Sequence, residues 1–275
     1  MYGRMLHLAV SRVPTPVLNR LGFWEYKHPL FRRLARRLLR PMQAADTAIS
    51  QGPGSGLRFR SAGGFPGRAV GMIEPEVQST LDDLITPGDA FYDLGANVGF
   101  FTLLGARLVG PSGHVIAVEP QPAAVEGLRH NVELNGFRNV TVIEAAVSDV
   151  PGQSEFHVSG EGILEWGALG PGSGGVPTFE VRVTTVDALL SAESLPPPSV
   201  VKLDVEGAEA GALRGMTETL TQHRPRLICE IHGTLDEVVA VLESAAYDIE
   251  IMQGNAERGD GYYGQLVARP RHPET

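Results

Sequence analysis

The stretch Ala90 to Leu108, AFYDLGANVGFFTLLGARL, constrains this chain more than any other. An apolar run, Ala90–Leu94, meets a turn bracketed by Gly95 and Gly99, and helical spacing begins at once over Val98–Leu108. Glycines at such a turn allow positive φ and let a ligand approach the backbone with no side chain in the way. A buried strand turning abruptly into a helix opens a parallel α/β sheet, and ligands of such sheets lie at the carboxyl ends of the strands.

The alternation continues. Strand His114–Glu119, helix Ala123–Asn135 and strand Val140–Glu144 follow, and later strand Val200–Asp204, helix Ala208–Thr221, strand Arg226–His232 and helix Asp236–Ala246. Asp248–Met252 and Gln265–Ala268 read as a closing antiparallel pair, and Pro75–Leu84 as a helix before the first strand. Between the two halves, Gly152–Val158 and Phe179–Val186 read as half-exposed strands flanking the glycine-rich stretch Ser159–Gly175. Strand after helix after strand predicts an α/β fold: a doubly wound, mostly parallel, seven-stranded Rossmann-like sheet with an antiparallel last strand.

A length of 275 residues fits one large domain of this kind with an N-terminal extension. The glycine- and serine-rich run Ser50–Gly71 marks the boundary, which divides the chain into an extension with its linker, residues 1–70, and an α/β domain, residues 71–275. Met1–Ala45 holds nine Lys and Arg against Glu25 alone, so the rest of the chain carries −17 of a total of −9. An acidic body argues against nucleic acid as a partner, since phosphate backbones need a basic footprint. In Leu30–Arg40, LFRRLARRLLR, leucines take one helical face and arginines the other. That helix is expected to pack on the acidic domain, with a membrane surface or a homodimer contact as alternatives. No stretch has the roughly 18 apolar residues of a membrane span, and arginines and prolines interrupt any signal-like core, so a cytoplasmic enzyme is expected. The single cysteine, Cys229, excludes an intrachain disulfide and a cysteine zinc cluster, and its run LICEI reads as buried strand.

Dinucleotide folds place G-x-G-x-x-G at the first turn, where a pyrophosphate meets the helix N-terminus. Here the run is Gly95-Ala96-Asn97-Val98-Gly99, and Asp93 stands just before it. A carboxylate suits a cationic ligand and repels phosphate. S-adenosylmethionine, with a sulfonium, an ammonium and no phosphate, answers that chemistry. The second strand ends in Glu119, followed by Pro120, and an acid there can accept both hydroxyls of a ribose. NAD shares that ribose diol, so Glu119 alone does not discriminate. The third strand delivers Glu144 and Ala145, candidates for holding an adenine edge.

Together these residues resemble the class I methyltransferases. Two segments narrow the resemblance to the FkbM-type family: GDAFYDLGANVGFFTLL, and VVKLDVEGAEAGALRGM with Lys202, Asp204, Glu206, Gly207, Glu209 and Gly215. LNGFRNVTVIEAAVSD, TTVDALL and IEPEV are similar as well, so the resemblance covers roughly Gly71 to Tyr247. It implies methyl transfer from S-adenosylmethionine to a hydroxyl of a sugar, polyketide or other secondary metabolite. Asp93, Gly95, Asn97, Gly99 and Glu119 would carry the cofactor, with Glu74 and Glu76 closing over its methionine end.

A hydroxyl is a weak nucleophile, so a general base or a metal is useful. Asp204 and Glu206 follow one strand and alternate with Val205, which aims two carboxylates at one place and favours raising one pKa. They serve equally as ligands of the cofactor, the acceptor or a divalent cation, and no metal site is assigned. Lys202 is placed to neutralise them, and His232, ending the next strand, is a second candidate base. An NAD-linked oxidoreductase of the same architecture and a silent cofactor-binding scaffold are the alternatives.

Overall fold

The computed structural model describes residues 44–61, 71, 73–159, 166–172, 176–254 and 261–271. The amphipathic run Leu30–Arg40 and its proposed homodimer contact lie outside them, as do parts of Ser50–Gly71 and Ser159–Gly175.

A short antiparallel ladder, β1 (Thr47–Ala48) with β2 (Arg58–Phe59), precedes helix α1 (Pro75–Leu84). The alternating units follow: β3 (Ala90–Leu94), α2 (Phe100–Val109), β4 (His114–Glu119), α3 (Pro122–Leu134), β5 (Val140–Glu144) and β6 (Ala146–Val147). A middle section holds β7 (Gly152–Ser159), β8 (Trp166–Leu169), β9 (Thr178–Thr184) and α4 (Val186–Glu193). The chain then returns to the main sheet with β10 (Val200–Leu203), α5 (Glu209–Arg214), β11 (Arg226–His232), α6 (Leu235–Ser244), β12 (Tyr247–Gly254) and β13 (Tyr263–Pro270).

The main sheet has seven strands in the order β12-β13-β11-β10-β3-β4-β5, and only β13 runs antiparallel to its neighbours. This is the expected doubly wound sheet with its antiparallel last strand. Strands whose two faces are both covered are apolar throughout, which is why β3 is buried at every position. Tyr92, Leu94, Val201, Leu203, Leu227 and Cys229 pack beneath α4, α5 and α6. Phe91, Val115, Val200 and Ile228 pack beneath α1, α2 and the β1–β2 ladder. The order reverses between β3 and β10, so the switch point lies where the Gly95 loop meets the end of β10.

Three expectations change. The helix expected over Ala208–Thr221 is α5 followed by a π-helical turn, Thr219–His223. The break falls at Gly215, where any Cβ would meet the Ser148 carbonyl, and Asp187 takes hydrogen bonds from the backbone N–H groups of Glu218 and Thr219 beyond it. The strand expected to reach Val186 stops at Thr184, because the Thr185 hydroxyl caps α4 by accepting from the Ala188 N–H at 3.0 Å. The glycine-rich stretch contributes strand β8, which pairs with β7 in a separate four-stranded sheet ordered β6-β9-β7-β8. Among the described residues no helix is long and apolar enough to cross a membrane.

Candidate active site

The loop from β3 into α2 is held by the neighbouring strand. Gly95 and Ala96 donate their N–H groups to the Val118 carbonyl at 2.9 and 3.0 Å. Gly95 has φ 85°, and a Cβ there would run into the Asp204 carbonyl, so the end of β10 comes this close only because residue 95 is glycine. Asn97 also lies in the left-handed region, which asparagine tolerates better than most residues. Its N–H and that of Gln121 donate to the two carboxylate oxygens of Glu119, at 2.8 and 2.9 Å. One acid thus fixes two loops, and burial pushes its pKa up to about 7 against the pull of both N–H groups.

A cleft of about 340 Å³ opens along these loops. Gly95, Ala96, Asn97, Glu119, Pro120, Gln121 and Ala145 line one end; Lys202, Asp204, Val205 and Glu206 line the other, with Glu74 beside them. Phe59, Phe100 and Phe101 supply an apolar wall, and Phe156, Gly167 and Leu169 extend it from the four-stranded sheet. Among the described lining residues the one basic side chain is Lys202, tied to Asp204 at 2.9 Å and stacked over the Phe101 ring. Among the described residues a phosphate-bearing ligand would find no free cation here, whereas a ribose diol beside Glu119 and a cationic group beside Asp204 find matching partners. The residues therefore fit S-adenosylmethionine.

Not every expected residue meets in this cleft. Asp93 is 1% exposed and lies behind the lining, where one oxygen accepts from the Thr102 hydroxyl at 2.6 Å. Burial raises its pKa, opposed by Lys202, which stands in register with it on β10. Glu76 is exposed on α1, and Glu144 is exposed beside Arg129 at 3.7 Å; neither lines the cleft. Glu74 does, where its left-handed backbone starts α1 and its carboxylate accepts from Gln265 at 3.2 Å.

Behind the Asp204 end sits a polar group that spacing alone does not assemble. Strand side chains alternate between faces, so Lys202, Asp204, Glu230 and His232 leave the sheet on one side. Glu209, fully buried, accepts from the Gly207 N–H at 2.8 Å and the Thr234 hydroxyl at 2.7 Å, and meets His232 Nδ1 at 2.9 Å. His232 Nε2 then points to Glu206 at 3.4 Å and Glu230 at 3.7 Å. Burial opposes charge on His232, but the Glu209 hydrogen bond and the carboxylates of Glu206 and Asp204 outweigh it and raise its pKa, favouring the imidazolium. Burial pushes Glu206 up to about 7, with His232 pulling down and Asp204 and Glu209 pushing up. Burial and the neighbouring Asp204 and Glu74 also raise Glu230. Lys202 loses solvation yet stays above its ordinary range, because Asp204, Glu74, Asp93 and Glu230 surround it. Glu230 went unread in the sequence, although its spacing of two from His232 within a strand was a legible signal.

Comparison with known proteins now bears on this geometry. The methyltransferase FkbM domain matches residues 93–249, more than half of the chain. The chain is 30% identical over 189 residues to hexuronic acid methyltransferase AglP of Haloferax volcanii, covering 67% of this chain and 74% of that protein. It is 26% identical over 218 residues to 31-O-demethyl-FK506 methyltransferase FkbM of Streptomyces tacrolimicus, covering 67% and 82%. With protein-L-isoaspartate O-methyltransferase of Aeropyrum pernix it shares 33% identity over 132 residues, 46% of each chain, so it spans about half of that relative. The domain match falls on the strands and loops that build the cleft, and the chain belongs to the FkbM family of S-adenosylmethionine-dependent methyltransferases.

Proposed function

We propose that this enzyme methylates a hydroxyl oxygen of a small sugar- or polyketide-like acceptor. The observation that carries this reading is one continuous cleft with two chemical ends, the Gly95–Glu119 loops at one and the Asp204–Glu206 carboxylates at the other. When bound, S-adenosylmethionine supplies a methyl carbon activated by its sulfonium. Glu119 holds the ribose hydroxyls, Ala145 borders the adenine, and Glu74 faces the methionine end. The acceptor lies with its apolar side on Phe59, Phe101 and Phe156 and its hydroxyl toward Asp204 and Glu206. Transfer of that methyl to the acceptor oxygen, with the bonding pair left on sulfur, would free the hydroxyl proton, which Glu206 would accept. Lys202 and the His232 imidazolium keep Asp204 and Glu206 in place, so His232 acts by positioning rather than as the base. Alignment of this kind supplies a large share of a methyl-transfer rate. Two relatives, one named for a hexuronic acid and one for a 31-O-demethyl compound, support an oxygen acceptor.

The test is a panel of uronic acids, macrolide alcohols and matched amines, incubated with methyl-labelled S-adenosylmethionine and read by mass spectrometry. Label should enter hydroxyl acceptors alone. Glu206→Gln should cut turnover at least about 100-fold, within the contribution of a general base, and leave S-adenosylhomocysteine affinity unchanged. Label only in the amines would overturn the oxygen acceptor, and unchanged turnover in Glu206→Gln would overturn the base.

A further inference from the structure

We propose that Asp204, Glu230 and His232 form a binding site for one divalent cation where the Asp204 end of the cleft meets the polar group behind it. Two strands set this group. Asp204 directly follows β10, Glu230 and His232 lie two apart on β11, and the pleat turns all three to the sheet face that carries Lys202. One donor atom from each lies within 4.8 Å of the others. Ligands of one octahedral ion with bonds of about 2.1 Å stand roughly 3 to 4.2 Å apart, so a small inward movement closes the set. Two carboxylate oxygens with one imidazole nitrogen suit a hard or borderline divalent ion such as Mn²⁺ or Mg²⁺.

The histidine is held as a ligand would be. Glu209 grips Nδ1 from behind, and the Gly207 N–H and Thr234 hydroxyl fix that carboxylate in turn. This leaves Nε2 turned toward the carboxylates, and an ion bound there would take the place of the Nε2 proton. A buried carboxylate on the far nitrogen is how metal-binding histidines are oriented and made more basic. The surroundings are rich in further oxygen donors. The carboxyl groups of Glu74, Asp204, Glu206, Glu209 and Glu230 gather around two basic side chains, Lys202 and His232. Asp93, on the same sheet face, is buried with one carboxylate oxygen that has no hydrogen-bond partner among the described residues. These carboxyl groups place several oxygen donors around one point, as a hard divalent cation requires.

The role of the ion rests on the proposed acceptor chemistry. A cation here would meet the acceptor hydroxyl and ease loss of its proton to Glu206. The existence of the site does not depend on that role, and the experiment separates them. Mn²⁺ is titrated into the full chain by calorimetry and electron paramagnetic resonance, alongside Glu230→Gln and His232→Gln, with S-adenosylhomocysteine titrated into each. The expected result is one Mn²⁺ per chain, bound at least tenfold more weakly by each variant, with S-adenosylhomocysteine affinity unchanged. Glu230→Gln preserves shape at a partly exposed position, so the test stands even if His232→Gln folds poorly. Absent Mn²⁺ binding, or binding of equal strength in wild type and Glu230→Gln, overturns the cation site. In that case intact S-adenosylhomocysteine binding leaves the methyltransferase reading standing, and its loss removes that reading instead.

Discussion

At the scale of single residues, Gly95 and Glu119 shape the proposed cofactor end of the cleft by different physics. Gly95→Ala adds a Cβ against the Asp204 carbonyl and holds alanine at φ 85°. The backbone strain alone costs about 1–3 kcal/mol. Thermal melting should fall by several degrees, and S-adenosylhomocysteine binding should vanish in calorimetry; wild-type values for both would contradict this close approach. In Glu119→Gln an amide NH₂ must face one of two backbone donors, leaving a buried group unsatisfied at about 1–3 kcal/mol. Cofactor affinity should drop roughly 10- to 100-fold, by the same energy. Glu119 also predicts a pH response. Its pKa is raised by burial to about 7, so the folded chain binds that proton more tightly than the unfolded chain does. Its contribution to stability is complete below the ordinary carboxylate pKa and is lost as pH rises through about 7. Ligand hydroxyls donate to the ionised form, so S-adenosylhomocysteine affinity should increase from pH 6 to pH 8. A flat profile, or an equal slope in Glu119→Gln, would remove Glu119 from the cofactor site.

At the scale of elements, the four-stranded sheet and the start of α5 divide the work. Phe156 on β7 and Leu169 on β8 are paired across that small sheet and line the cleft away from Glu119. Phe156→Ala should raise the acceptor KM about tenfold, in line with the lost burial of an aromatic contact, while the KM for S-adenosylmethionine stays constant. A change confined to the cofactor KM would reassign this wall. Glu209 works through His232 from the first turn of α5, which makes it a positioning residue. Glu209→Gln should lower kcat roughly 10- to 100-fold, as for other carboxylates behind a functional histidine. It should also shift the pH dependence of kcat downward, because the hydrogen bond that raises the His232 pKa weakens. A purely structural role would lower the melting temperature with no such shift. β8 itself was hidden in the sequence. Trp166-Gly167-Ala168-Leu169 has little strand character of its own, and Gly167 is accommodated because any side chain there would press on the Phe156 ring. Helix α4 also went unread, because the expected strand ran on to Val186, although Thr185 with Asp187 two residues later is an N-terminal signal.

At the scale of the whole molecule, the cleft joins loops from both halves of the doubly wound sheet, so ligand binding should stabilise the fold as a unit. With S-adenosylhomocysteine at a hundred times its Kd the gain is about 2.7 kcal/mol. A single cooperative transition should shift upward by several degrees in calorimetry, and a transition that split in two would show that the halves melt apart. The sequence by itself determined the sheet and the loops at its carboxyl edge. Period-two and period-3.6 patterns are local, and the strands Ala90–Leu94, His114–Glu119, Val140–Glu144 and Arg226–His232 stand where those patterns place them. Tertiary structure alone decided which acids share a space. Glu144 ends its strand as Glu119 does, yet Glu144 faces solvent beside Arg129 while Glu119 closes over two loops. Asp93 precedes the glycine turn, yet the register of β3 with β10 turns it inward to Thr102 and Lys202. His232 takes its charge from Glu209, at the start of α5, and Glu206, just before it, both distant from His232 in the chain. A local pattern fixes the face on which a side chain leaves its strand; burial and partners depend on strands that are distant in sequence, and electrostatics at short range depends on those partners.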